Sequence, residues 1–69
     1  MPRLAVQVDG QRYDVIPGTG LEELRTLLPP ETQHALLNGL ARFVDRFGHE
    51  VGGDAGLYDG LQLFVVYYA

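Results

Sequence analysis

The stretch of sequence that decides the fold spans residues 61–68 and reads Leu61-Gln62-Leu63-Phe64-Val65-Val66-Tyr67-Tyr68. Branched and aromatic residues fill this stretch, which contains no glycine or proline. Such a run predicts a strand in the centre of a sheet. Side chains alternate between the two faces of a strand, and the polar Gln62 marks the outer face. We therefore expect an outward row of Phe64, Val66 and Tyr68 and an inward row under a helix, formed by Leu61, Leu63, Val65 and Tyr67.

Two further extended segments open the chain. Leu4, Val6 and Val8 occur at every second position, which is typical of a half-buried strand. Asp9-Gly10 follows, a pair that tolerates positive φ and is the strongest short-range signal for a hairpin. The alternation resumes from Arg12 to Ile16, and Pro17-Gly18 ends it. The sequence therefore predicts an N-terminal β-hairpin.

A short amphipathic helix is predicted next. Thr19 and Glu22 have the spacing of a capping box, in which a hydroxyl and a carboxylate satisfy the first amides of a helix. Pro29-Pro30 stops the helix, because proline cannot continue it. We expect one helical face to carry Leu21, Leu24, Leu27 and Leu28.

The segment from Glu31 to Phe47 allows two interpretations. As one helix, it places an apolar stripe on one side, formed by Leu36, Leu37, Leu40, Val44 and Phe47. As two strands, Gln33 to Leu37 turns through Asn38-Gly39 into Leu40 to Val44. Asn-Gly is a preferred hairpin loop and a glycine inside a helix costs about 1 kcal/mol relative to alanine, but the local pattern alone leaves the helix and the strands equally open. If Gln33 to Leu37 is a strand, alternation places Ala35 and Leu37 on its inward side and His34 and Leu36 on its outward side.

Two stretches carry a resemblance to a known family. Leu28-Pro29-Pro30-Glu31-Thr32-Gln33-His34-Ala35-Leu36-Leu37-Asn38-Gly39 resembles the ubiquitin segment that leaves the helix through two prolines and enters the third strand. The run Gly56-Leu57-Tyr58-Asp59-Gly60-Leu61-Gln62-Leu63 is similar to the approach to the final strand in ubiquitin-like and sulfur-carrier proteins of the ThiS and MoaD type. The resemblance implies a single α+β domain over residues 1–69 with the β-grasp fold, in which a mixed sheet of four to five strands packs on one short helix. It also favours the two strands over the helix in the segment from Glu31 to Phe47.

Composition narrows the functional classes. The chain has 69 residues, with five Lys and Arg against nine Asp and Glu, a formal net charge of −4 at pH 7 and no cysteine. The acidic balance argues against a nucleic-acid surface, which needs clustered basic residues. No apolar run approaches the ~18 residues that span a bilayer, and the N-terminus opens into a strand pattern rather than a signal peptide. We therefore expect a soluble cytoplasmic protein.

The residues with catalytic or metal-binding chemistry form no strong pattern. The chain has neither cysteine nor serine, and no threonine stands beside a histidine in the sequence. His49-Glu50 followed by Asp54 allows a metal site in one loop, but glycine-flanked polar residues are more typical of a solvated turn. We expect a protein that is not an enzyme and has no cofactor or metal.

The end of the sequence departs from the family. Ubiquitin and the sulfur carriers act through a flexible C-terminal Gly-Gly, whereas this sequence ends in Val66-Tyr67-Tyr68-Ala69. Gly52-Gly53 precedes the last strand and is interpreted as a turn. A carrier or modifier activated at Ala69 is therefore the second interpretation, and a homodimer that buries its own sheet face is the third.

The favoured interpretation is a non-catalytic module, or a small subunit of a complex, that docks another protein through its open sheet face. The resemblance matches Leu36 and Phe64 to the two sheet positions that give ubiquitin much of its apolar recognition patch. An exposed apolar surface of this kind marks a binding site in a soluble protein. Arg42 and Arg46 bracket the face and can orient a partner. The predicted contact residues are His34, Leu36, Arg42, Phe64, Val66 and Tyr68.

Overall fold

A computed structural model describes residues 2–52 and 54–68. These residues form an α+β structure with a four-stranded mixed sheet and two helices. The strands lie in the order β2-β1-β4-β3, with β1 parallel to β4 and the other pairs antiparallel. The elements are β1 (Leu4–Val8), β2 (Gln11–Val15), α1 (Leu21–Arg25), α2 (Pro30–Leu37), β3 (Ala41–Asp45) and β4 (Gln62–Tyr67).

The N-terminal hairpin is confirmed. β1 and β2 pair from Leu4↔Val15 to Val8↔Gln11, and the two residues between them both have positive φ, 52° at Asp9 and 83° at Gly10. A two-residue turn of this hand matches the twist of the strands that it joins.

The central position of the last strand is also confirmed, since β4 lies between β1 and β3. Leu61 and Leu63 are buried, and Val65 packs against the core. Tyr67, expected inward, is instead 55% exposed. The reason is that β1 pairs with β4 only as far as Leu63, so the end of β4 extends past the first hairpin.

Helix α1 begins one residue later than predicted. Its N-cap is Gly20, whose amide donates to the Glu23 carboxylate at 2.8 Å. The predicted capping box of Thr19 and Glu22 is therefore wrong by one residue. Leu27 is exposed, although it was expected beside the buried Leu24 and Leu28. After Arg25 the amides of Leu27 and Leu28 bond three residues back, and this tighter turn rotates Leu27 away from the core.

The middle segment combines the two interpretations. Gln33 to Leu37, predicted as a strand, belongs to helix α2, and the following residues form strand β3 as expected. The expectation of one short helix under the sheet is therefore wrong, and so is that of one continuous helix from Glu31 to Phe47. Asn38 caps α2 and Gly39 follows with φ 73°, a common way to end a helix.

The side chain of Gln33 explains why α2 forms directly after α1. Its Nε2 donates to the carbonyls of Leu28 at 2.6 Å and Thr26 at 3.1 Å, which are left without helical partners where α1 ends. Pro30 occupies the first helical position, where no amide donor is needed. Both features stabilise a helix that begins directly after α1.

The hydrophobic core lies between the helices and one face of the sheet. Leu24, Leu63 and Val6 are its largest fully buried side chains. The alternate residues of the strands point away from this core and form what we call the open face. No helix among residues 2–52 and 54–68 is long and apolar enough to cross a membrane.

Candidate functional site

The open face has an apolar half on β3 and β4. Strand register places Arg42 beside Val66 and Val44 beside Phe64. Tyr68, directly after β4, continues this row and donates its amide to the Leu40 carbonyl. Phe64 and Val66 are each 39% exposed and Tyr68 is 55% exposed. Neighbouring side chains on one face of a sheet contact one another across the strands. The five residues Arg42, Val44, Phe64, Val66 and Tyr68 are called the apolar half below.

The other half of the open face is polar. Gln7 on β1 lies beside Arg12 on β2 and beside Gln62 on β4. Arg12 donates through Nε to the Asp14 carboxylate at 2.9 Å. The β1–β2 side of this face thus carries charged and amide side chains, in contrast to Phe64, Val66 and Tyr68 on the β3–β4 side.

Arg42 is the charged residue of the apolar half. Its Nη1 donates to the Glu50 carboxylate at 3.1 Å, and its guanidinium lies 5.5 Å from the centre of the Tyr68 ring. The Nε atom is buried and has no hydrogen-bond partner among the described residues. Two neighbours therefore hold the guanidinium in place, while part of its donor capacity is unused.

Val44 belongs to this face but was not among the predicted site residues. It is 6% exposed, between Phe64 on one side and Glu50 on the other. Glu50 reaches this position because the chain reverses after β3, with the Asp45 amide bonded to the His49 carbonyl and the Val51 amide bonded to the Phe43 carbonyl. The signal in the sequence was the alternation of the predicted strand, in which Val44 follows Arg42 by two residues.

Two predicted contact residues lie elsewhere. Leu36 and His34 were placed on the sheet face, but both belong to α2. Leu36 packs against the core, and the exposed His34 ring lies 3.0 Å from the Asn38 side-chain nitrogen. Their placement is wrong because the predicted strand is a helix. Ala69, the residue of the alternative conjugation site, lies outside the described residues.

The turn after β3 is organised by Asp45. Its Oδ1 accepts the amides of His49 and Phe47, each at 2.9 Å. These hydrogen bonds, that from His49 first, hold the pKa of the Asp45 carboxyl below its usual range, with a smaller contribution from the nearby Arg46. Arg46 lies against the exposed Phe47 ring, 4.9 Å from its centre, and not on the apolar half.

The described residues contain no group of three or more His, Asp or Glu side chains placed to hold a metal ion. Within the same part of the chain, no hydrogen bond joins a threonine hydroxyl to a histidine; that of Thr26 donates to the Glu23 carbonyl. No protein-family model matches this chain, and no curated protein matches its sequence. The apolar half is therefore the feature on which a functional proposal rests.

Proposed function

We propose that this chain is a ubiquitin-like, β-grasp module that binds another protein through the apolar half of its open face. The sheet order, the parallel pairing of the first and last strands and the helices on one side support the fold. Helix α2 stands where the resemblance implied a strand, so the likeness rests on the first hairpin, β3 and β4.

The observation that carries the proposal is the cluster of exposed Phe64, Val66 and Tyr68 side chains on the β3–β4 side of the open face. Their exposed apolar area is favourable to remove from water, by about 25 cal/mol for each Å² buried. The charged residue beside them is already held in place, so little side-chain entropy is lost when a partner binds. Such a combination is typical of the core of a protein interface.

Arg42 indicates the chemistry of the partner. The chain carries a formal charge of −4, yet this guanidinium stands among apolar side chains on the binding face. A partner with an apolar ridge and one Asp or Glu carboxylate complements both features. The carboxylate would set the orientation of the complex more than its affinity, since charge complementarity across an interface acts mainly on specificity and association rate.

The test is affinity purification of N-terminally tagged protein, washed under native or denaturing conditions, with Phe64→Glu compared with Gln62→Glu. Both variants place the same charge on the same face of β4, one in the apolar half and one in the polar half. We expect a partner that survives native washing only, is lost with Phe64→Glu and is retained with Gln62→Glu. Thermal unfolding checks that both variants fold.

Two results would contradict the proposal. One is equal loss of the partner with both variants, since the apolar half would then have no special role. The other is an adduct that survives denaturation and maps to the C-terminal carboxylate, which would support a carrier or modifier instead.

A further inference from the structure

The end of β4 has a neighbouring strand on one side only. β3 pairs with β4 as far as Tyr67, and the Tyr68 amide donates to the Leu40 carbonyl at 2.9 Å. On the other side, β1 pairs with β4 only at Gln62 and Leu63. We call the β1-facing side of residues 65–68 the open edge.

The hydrogen bonds show which backbone groups face the open edge. The Tyr68 amide points towards β3. The backbone N–H and C=O groups of the even-numbered residues of β4 therefore point towards β3, and those of the odd-numbered residues point towards β1. The carbonyls of Leu61 and Leu63 accept the amides of Gln7 and Asp9, each at 2.9 Å, as this alternation requires. The Val65 amide is taken by the Asp9 carboxylate at 3.1 Å. The N–H and C=O of Tyr67 come next, and they have no hydrogen-bond partner among the described residues.

Apart from the Asp9 carboxylate at Val65, no side chain among the described residues protects this edge. Natural sheets guard exposed edges with lysine, proline, charges or bulges, and residues 65–68 contain none of these. Exposed apolar side chains lie on both sides of it: Tyr67 on the helix side of the sheet, and Val66 and Tyr68 on the open face. A strand added here would gain backbone hydrogen bonds and apolar cover on both of its faces.

We propose that the occupant of the open edge is the β4 strand of a second copy of this chain. A short, uncharged strand with unpaired backbone groups of its own would complement this edge. The end of β4 is itself such a strand. In an antiparallel pair around a twofold axis at Tyr67, each Tyr67 N–H donates to the Tyr67 carbonyl of the other copy. Both unpaired groups are thereby satisfied in both copies, and the two rings form a cross-strand aromatic pair.

This arrangement joins the two sheets into one and leaves both open faces pointing the same way. The twofold axis is perpendicular to the sheet, so the two apolar halves lie side by side. A partner with two matching surfaces would bind such a dimer more tightly than one copy, through an increased effective concentration. The dimer itself does not depend on the proposed function.

The test measures mass by sedimentation equilibrium over a concentration series, for the wild type and three variants. Tyr67→Lys places two like charges opposite each other at the twofold axis. Tyr67→Pro removes the outward N–H, and the ladder to β3 remains because Tyr67 does not donate to β3. Tyr58→Lys is the matched control, since Tyr58 is an exposed tyrosine outside β4. Circular dichroism checks the fold of each variant.

We expect the mass of the wild type and of Tyr58→Lys to rise with concentration from 7.6 kDa towards twice that value and no further. Both Tyr67 variants should stay at the monomer mass over the same series. A wild type that remains monomeric at about 1 mM, a concentration that would populate even a weak dimer, would overturn the proposal. So would a dimer that either Tyr67 variant leaves intact, which would place the contact away from the open edge.

Discussion

The carboxylate of Asp9 accepts the backbone amide of Val65 at 3.1 Å, across 56 positions of the sequence. Asp9 also forms the first hairpin turn with a φ of 52°. Its side chain thus takes the place of a backbone carbonyl at the point where β1 turns away and the parallel ladder to β4 ends. One residue thereby contributes both to the turn and to the end of the pairing between β1 and β4.

Replacement of Asp9 tests this double role. We expect Asp9→Ala to lower the free energy of unfolding by about 1–2 kcal/mol, because it removes the hydrogen bond and puts a β-carbon at positive φ. Asp9→Asn is the matched control, since asparagine tolerates this backbone conformation and retains an acceptor oxygen. Urea unfolding of both variants measures the difference. Equal losses would mean that the acceptor and the turn conformation matter little.

Gly39 should be needed for its backbone conformation alone. Its φ is 73°, and a Cβ added there would meet nothing within 4 Å. We expect Gly39→Ala to destabilise the fold by about 1 kcal/mol, measured by urea unfolding. Gly56→Ala is the control, because that position is equally open and its φ lies outside the left-handed region. A Gly56→Ala variant as unstable as Gly39→Ala would argue against the backbone explanation.

Asp45 should make the stability of the fold depend on pH in acidic solution. Its folded-state pKa lies below the ordinary value of 3.8, so the carboxylate stabilises the fold at pH values above 3.8. This contribution falls as the pH drops below 3.8 and is lost once the pH passes the folded-state pKa. We expect Asp45→Asn to unfold at a lower temperature than the wild type at neutral pH, with the difference shrinking in acid. A difference that stays constant over this range would contradict the assignment.

The register of α1 is open to a direct test. Leu24 is fully buried, so Leu24→Ala should lower the free energy of unfolding by about 2–5 kcal/mol. Leu27 is 51% exposed, and Leu27→Ala should change stability by no more than about 0.5 kcal/mol. Chemical denaturation of the two variants distinguishes this register from the predicted one, in which both leucines face the core.

The parts that sequence reasoning predicted well depend on local alternation. The first hairpin follows from alternating side chains on either side of Asp9-Gly10, whose left-handed geometry suits few other pairs. The outward row of Phe64, Val66 and Tyr68 follows in the same way from Gln62 and the period of two. These features need only a strand and its two faces.

Asn38-Gly39 shows why the middle segment could not be predicted in this way. A hairpin turn and a helix end both use a glycine at positive φ, so the pair by itself suits either. The choice depends on contacts with other parts of the chain, namely the bonds from Gln33 to the end of α1. Leu36 and His34 were misplaced as a consequence.

The sequence by itself determined the first hairpin, the central strand β4 and the row of apolar residues on its outer side, because each depends on neighbours two residues apart. Only the tertiary structure decided that α2 is a helix, that Val44 completes the apolar half and that Tyr67 lies at an open edge. Each of these three features depends on where one helix or strand ends relative to another that is distant in the sequence. The periodicity of neighbouring residues does not determine these relative positions, which are set by pairing between distant strands and by burial of the core.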